Sequence, residues 1–234
     1  MVNLPIATAL SDYLEEAEDG DVVKSKTSFA MFSKGANGAR EWKGNLKYLK
    51  PGEGYMLYRS RQGTAQFTYP FYEANATFFE ESNQARAWDD FANNMVMTAT
   101  AEGIELEEGD KLIAYSGAEI RGEALVSGKV KVNSEKSAAA TEQPLFYLTI
   151  AGSEQAPLSF AIERNGDIIA TTGDVMTYQT NAVSGSPSEP TKISFVRSNL
   201  LPQEGWYTVQ GIKLQQAPTQ RGVYIYNGHK RVIK

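Results

Sequence analysis

Leu145-Phe146-Tyr147-Leu148-Thr149-Ile150, Leu158-Ser159-Phe160-Ala161-Ile162 and, beyond Asn165-Gly166, Ile168-Ile169-Ala170 decide how this chain is read. Each run is short, apolar, and rich in β-branched and aromatic residues that fit a pleated surface. Asn-Gly between two such runs is a hairpin signal, because the primed turn needs φ > 0 at both central residues. Working outward, Met95-Val96-Met97, Lys111-Leu112-Ile113-Ala114-Tyr115, Ile120-Arg121-Gly122-Glu123-Ala124-Leu125 and Val130-Lys131-Val132 precede these runs, and Lys192-Ile193-Ser194-Phe195-Val196 follows them. Ser116-Gly117 and the stretch Ser184 to Pro190 supply turns and loops, and the polar, alanine-rich stretch Ser134 to Gln143 is expected to be a mobile loop. Strands at this spacing predict a β-sandwich.

The flanks read the same way. Ile6, Leu10, Leu14 and Ala17 fall at helical spacing with Tyr13 beside them, and Asp12, Glu15, Glu16 and Glu18 lie mostly opposite. This predicts a short amphipathic helix over residues 6–18, stopped by Asp19-Gly20-Asp21. The period then drops to two through Val22-Val23, Ser28 to Phe32 and Glu41 to Gly44, and Pro51-Gly52 suits a type II turn into a strand at Tyr55 to Tyr58. Phe71, Tyr72, Phe78, Phe79, Trp88 and Phe91 mark a connector. At the other end, Trp206-Tyr207-Thr208-Val209 and Ile212-Lys213-Leu214 precede Val223 to Tyr226, and Asn227-Gly228 turns that strand back into His229 to Ile233.

Composition excludes several classes. The chain has 234 residues, 41% hydrophobic and 22% charged, which suits a folded globular protein rather than a disordered one. No apolar run approaches the roughly 20 residues that span a bilayer, so no membrane-spanning segment is expected. A net charge of −5, with basic residues clustered only at Lys230, Arg231 and Lys234, argues against a nucleic-acid partner. The absence of cysteine removes disulfides and thiolate chemistry. Met1-Val2-Asn3-Leu4-Pro5 lacks the basic and apolar regions of a signal peptide, which leaves either a cytosolic protein or an internal or trimmed piece of a longer one.

Three patches carry a family resemblance. Trp42-Lys43-Gly44-Asn45-Leu46, Leu49, Pro51-Gly52-Glu53-Gly54-Tyr55 and Phe67-Thr68-Tyr69-Pro70 resemble a module repeated in surface-exposed Bacteroidetes proteins, with a longer and more charged loop at Gly35 to Arg40. Gly109-Asp110, Ala114-Tyr115, Arg121-Gly122 and Leu145 to Ile150 look like the immunoglobulin-like domain that accompanies it. The segment Gly222-Val223-Tyr224-Ile225-Tyr226-Asn227-Gly228-His229-Lys230 resembles the C-terminal type IX sorting domains of those proteins. The resemblance implies a secreted or outer-cell-surface location. The expected fold class is mainly β: two small antiparallel β units, the second an Ig-like sandwich, with one short N-terminal helix and a C-terminal β-hairpin. The expected boundaries are a small β module over 1–72, the sandwich over 73–198 and a hairpin tail over 199–234.

Chemistry has few places to reside. The sole histidine, His229, follows directly on a hairpin turn, where a surface position is expected rather than a catalytic one. Glu80, Glu81, Asp89 and Asp90 could supply a carboxylate pair for glycoside hydrolysis, although adjacent acids on a connector are commonly solvated. Glu105, Glu107, Glu108 and Asp110, and the loop Asp19-Gly20-Asp21, offer hard oxygen ligands without the spacing of a calcium loop, so no metal and no cofactor are expected. Aromatic rings that stack on the apolar face of a pyranose are the better candidates: Trp88, Tyr58 and Trp42 first, then Tyr55 and Trp206, against the alternative that most are core. The expected role is noncatalytic, as an adhesion or ligand-binding module or one that presents another domain. The expected partner is a glycan or a host or cell-surface protein. A carboxylate-dependent glycan-active enzyme and a self-assembling surface component that donates its terminal strands to a neighbour are the alternatives.

Overall fold

The computed structural model describes residues 4–10, 13, 16–35, 38–50, 52–64, 88, 90–132, 141–197, 205–227 and 229–234. The chain is mainly β, as expected, and divides into two compact units: residues 1–86 with 186–188, and residues 87–185 with 189–234. The terminal strands belong to the same unit as the sandwich.

In the first unit, β1 (Leu4–Pro5) leads into α1 (Ile6–Ala9), followed by β2 (Val22–Lys24), β3 (Phe29–Lys34), β4 (Arg40–Gly44), β5 (Tyr48–Leu49) and β6 (Met56–Tyr58). An antiparallel sheet runs β4-β3-β2-β6, and β1 pairs with β5. Val23, Ala30 and Phe32 on one face of that sheet pack with Leu4, Ile6, Ala9, Leu10, Tyr13, Ala17, Leu46 and Leu49. The helix is one turn rather than the expected run over 6–18, and beyond it Tyr13 and Glu16 lie in turns. Like charges at Asp12, Glu15 and Glu16 oppose helical continuation at spacings of three and four, whereas the apolar residues of that stretch need only reach the core. Leu14 lies outside the described residues, but Ile6, Leu10, Tyr13 and Ala17 are all buried.

Asp21 fastens this unit. Its buried carboxylate accepts hydrogen bonds from the Tyr13 hydroxyl at 2.6 Å, the Glu18 amide at 3.0 Å, and the amide and hydroxyl of Ser60 at 2.7 and 2.8 Å. Burial pushes its pKa up, and the donors from Tyr13, Glu18 and Ser60 more than reverse this, leaving it below the usual carboxylate range. The Tyr13 hydroxyl, desolvated and bonded to that carboxylate, is pushed up to about 12. The Asp19-Gly20-Asp21 loop is thus committed to the chain's own donors.

The second unit comprises β7 (Asn93–Glu102), β8 (Lys111–Ser116), β9 (Glu119–Val132), β10 (Thr141–Gly152), β11 (Pro157–Arg164), β12 (Asp167–Thr177), β13 (Val183–Ser184), β14 (Thr191–Ser194), β15 (Val196–Arg197), β16 (Trp206–Thr208), β17 (Lys213–Leu214), β18 (Gly222–Tyr226) and β19 (His229–Ile233). Strand β10 begins at Thr141, inside the stretch expected to be a loop, and Ser134 to Ala140 lie outside the described residues. The long strand β9 belongs to two ladders: Glu119 to Leu125 pairs with β8, and Val126 to Val132 with β10. The sheet therefore folds over at β9. One half carries β7 and β10, the other β8, β11 and β12. Met95, Met97, Phe146, Leu148 and Ile150 from the first half meet Leu112, Ala114, Leu158, Phe160 and Ile162 from the second in a single core, which is a β-sandwich. Gly122 permits the close crossing of β9 and β10, since a Cβ there would lie 2.1 Å from the Thr149 carbonyl oxygen.

A third layer covers the second half from outside. The strands β17-β16-β18-β19 form an antiparallel sheet whose Tyr207, Val209, Val223 and Ile225 pack on Ile113, Tyr115, Ala161 and Ile168. Hydrogen bonds from the Val223 amide to the Ala118 carbonyl and from the Gln210 side chain to the Gly117 carbonyl, both 3.0 Å, fix its position.

Three variants probe these cores. Tyr13→Phe leaves the shape of the first core intact but removes a hydrogen bond to a buried charge, and should lower unfolding free energy by about 1.5–3 kcal/mol in urea titration. Ile225→Ala should cost about 2–5 kcal/mol through the cavity left beneath the third layer. Deleting residues 205–234 should expose Ile113, Tyr115, Ala161 and Ile168 and raise binding of an apolar dye. A truncated chain with unchanged melting temperature and no dye binding would contradict the layering.

Candidate functional site

Trp42 and Tyr58, two of the candidates in the first unit, do not converge. Trp42 on β4 faces Phe32 across the ladder, with ring centroids 5.3 Å apart at 64°, and lies 6.4 Å from the Tyr13 ring. Its indole Nε1 is buried without a hydrogen-bond partner, so the ring serves as a wedge against the core. Tyr58 on β6 is 44% exposed, beside the exposed Met56 and Leu57. Trp42 and Tyr58 occupy opposite edges of the sheet, and the register Tyr58–Val22–Met31 against Trp42–Phe32 puts them on opposite faces. One sugar cannot touch both. Tyr55 uses its hydroxyl within its own turn, bonded to the Lys50 amide at 2.7 Å and to Glu53 at 3.0 Å. In the second unit Trp88 is only 9% exposed, which leaves no ring face for a ligand.

Among the described residues, the acidic candidates do not converge on a site. Glu80, Glu81 and Asp89 lie outside the described residues, and Asp90 is an exposed turn residue. Asp110 is buried and held by Arg164 through two bonds of 2.8 Å, with Glu107 on the same guanidinium and the Glu107 amide on Asp110 at 2.8 Å. Burial raises the Asp110 carboxyl, and Arg164 together with that amide brings it below its ordinary range. An arginine thus occupies the place a calcium ion would need. Among the described residues no group of three or more histidine, aspartate or glutamate side chains converges on one point.

Exposed rings do come together on the third layer. Because Tyr207 and Ile225 are register partners that point into the core, their neighbours Trp206 and Tyr226, also register partners, point outward. Their rings lie 4.7 Å apart at 34°, within the range of favourable aromatic pairs. Trp206 is half-buried and Tyr226 is 36% exposed. The row continues across the sheet in both directions, since Trp206 is opposite Leu214 and Tyr226 opposite His229. Asn227, in the left-handed region at φ 51°, makes the turn possible, while Gly228 lies outside the described residues. Asn227 also clamps the strand before Trp206: its side-chain oxygen accepts from the Gly205 amide at 2.9 Å, and its own amide donates to the Gly205 carbonyl at 3.2 Å. His229 Nδ1 lies 3.1 Å from Asp167 Oδ1, with both side chains exposed.

Beneath this row the layer is tied down ionically. Glu163 is buried at the edge of the core, paired with Lys230 from β19 and with Lys111 from β8 at 3.2 Å. Burial raises the Glu163 carboxyl, but the Lys230 and Lys111 ammonium groups more than offset this and hold it below the usual range. The Tyr115 hydroxyl is buried nearby with no partner, and burial, with the charges of Glu163 and Glu123, raises its pKa. By sequence alone Trp206 is one of the weaker candidates. The signal that could have promoted it was the run Leu112-Ile113-Ala114-Tyr115, whose lack of alternation marks a strand covered on both faces.

A carboxyl whose folded pKa is depressed stabilises the fold above its unfolded pKa of about 4.3, and that contribution is lost as pH falls through the lower folded value. Glu163→Gln should therefore reduce stability at pH 7 and narrow its gap from the parent chain as pH falls from about 5 to 3. Thermal melts at both ends of that window provide the check. Comparison with family models, with curated proteins and with solved structures finds no match to this chain.

Proposed function

We propose that this chain is a noncatalytic module of a secreted or outer-surface protein that binds a carbohydrate ligand on a rigid β scaffold. The observation that carries the reading is the partly exposed ring pair Trp206–Tyr226 on the outer face of a layer that is itself locked to the sandwich. Exposed aromatic surface held in register suits the flat apolar face of a sugar ring, and the scaffold beneath reduces the ordering needed when a ligand arrives. The noncatalytic part is supported by the sole imidazole, which sits in solvent against Asp167 rather than against a hydroxyl nucleophile. It is supported further by the buried acids Asp21, Asp110 and Glu163, each engaged by the chain's own donors. The exported address rests on the resemblance of the last residues to a sorting segment.

Magnitude guides the test. A monosaccharide of about a dozen heavy atoms, at about −0.3 kcal/mol per atom, binds with a Kd of about 2 mM. Detection therefore calls for multivalent display on a glycan array, followed by calorimetry with the oligosaccharides that respond. The expected outcome is binding to a subset of glycans with no change in their length. Release of shorter saccharides on incubation would favour the carboxylate enzyme instead, and silence on the array would remove the carbohydrate reading.

A further inference from the structure

Resting on that carbohydrate reading, we infer that Trp206, Tyr226, His229 and Asp167 make up one subsite for a neutral pyranose, with the exposed part of the mutually packed ring pair as its apolar floor and the His229–Asp167 pair as its polar arm. Two independent features of the fold meet here. The ladder of the third layer places Trp206, Tyr226 and His229 side by side on three adjacent strands, so their side chains project from the same face at successive strand spacings of about 4.8 Å. The hairpin of the sandwich that turns at Asn165-Gly166 delivers Asp167 to the end of that row, 3.1 Å from His229. The row thus begins in aromatic carbon and ends in a carboxylate and an imidazole.

A pyranose has the complementary pattern. Its axial C–H groups form an apolar face that packs on a ring, and its rim carries vicinal hydroxyls that donate to a carboxylate and exchange hydrogen bonds with an imidazole nitrogen. Tyr226 and His229 are one strand apart, about 4.8 Å, and Asp167 lies 3.1 Å beyond His229, a reach that a sugar resting by Tyr226 covers with its rim hydroxyls rather than with its ring. The exposed carboxylate also sets the charge preference, since a uronic acid or sialic acid would bring a second anion against Asp167. The subsite is therefore assigned to neutral hexopyranoses. Asn227, through its reciprocal bonds with Gly205, acts as a positioning residue that keeps Trp206 against Tyr226.

The test uses the full chain and saturation-transfer NMR with the methyl pyranosides of glucose, mannose and galactose and with methyl glucuronide, alongside the glycan array. Saturation should reach the sugar C–H protons of at least one neutral pyranoside, with methyl glucuronide weaker. Tyr226→Ala should weaken that binding at least tenfold, and Asp167→Asn, an exposed change that leaves the floor intact, about threefold to tenfold while relaxing discrimination against methyl glucuronide. Unchanged melting temperature shows that Asp167→Asn is folded, and it decides the matter if Tyr226→Ala is not. Glycan binding that survives both substitutions places the sugar elsewhere on the chain and overturns the subsite while leaving the carbohydrate reading in place. Stronger binding of methyl glucuronide than of any neutral pyranoside overturns the assignment to neutral sugars. No binding of any glycan by the parent chain, on the array or in solution, removes both.

Discussion

The second unit depends on strands β8 and β11 being buried on both faces. Leu112 and Ala114 point into the sandwich core while Ile113 and Tyr115, the residues between them, point into the core beneath the terminal sheet. A strand with only one covered face would leave Ile113, Tyr115, Ala161 and Ile168 in water, each forfeiting about 1.5–3 kcal/mol of burial for the larger side chains. The terminal strands therefore act as a structural layer of the sandwich and not as an appendage to it. The apolar face of the four-stranded terminal sheet must be buried against another element, and the sandwich supplies that surface.

That mutual requirement explains how a row of rings comes to be displayed. With Tyr207, Val223 and Ile225 held inward by packing, strict alternation forces Trp206 and Tyr226 outward. The ionic contacts at the rim give the docking its register. Lys230 reaches Glu163, and the buried carboxylate is shared with Lys111 from the sandwich, so sliding the terminal sheet by a residue would strand a charge in the core. The Tyr115 hydroxyl, beside this contact, is among the described polar groups that the packing leaves unsatisfied. It is tolerated because the ring it carries fills the space between the layers.

The first unit shows the same economy with a different device. Its core is small and its helix is a single turn, so local hydrogen bonding alone would not hold the N-terminal segment against the sheet. Asp21 closes that gap by gathering donors from residues as far apart in the chain as Tyr13 and Ser60. The loop Asp19-Gly20-Asp21 resembles a cation site when read as letters, and only the positions of its partners reveal a buried carboxylate that its own chain satisfies. Glu107 and Asp110 repeat this with Arg164, which lies more than fifty residues away in the chain.

Alternation of apolar and polar residues, the Asn-Gly turns and the shortness of the apolar runs were enough to determine a mainly β chain, because these patterns are set by the pleat and by backbone conformation within a few residues. The hairpin of β18 and β19, and with it the pairing of Tyr226 with His229, was legible for the same reason. Tertiary structure alone decided which strand lies on the other side of β18, which aromatics face outward and which wedge into a core, and where each acid finds its donor. Trp42, Tyr58 and Trp88 rank ahead of Trp206 in sequence, yet Trp42 is a half-buried wedge against the core, Tyr58 lies on an edge strand, Trp88 is buried, and Trp206 is the one of the four that pairs with an outward-facing ring. The physical reason is that exposure and partnership arise from contacts between segments distant in the chain, and no local pattern encodes which distant segment will arrive.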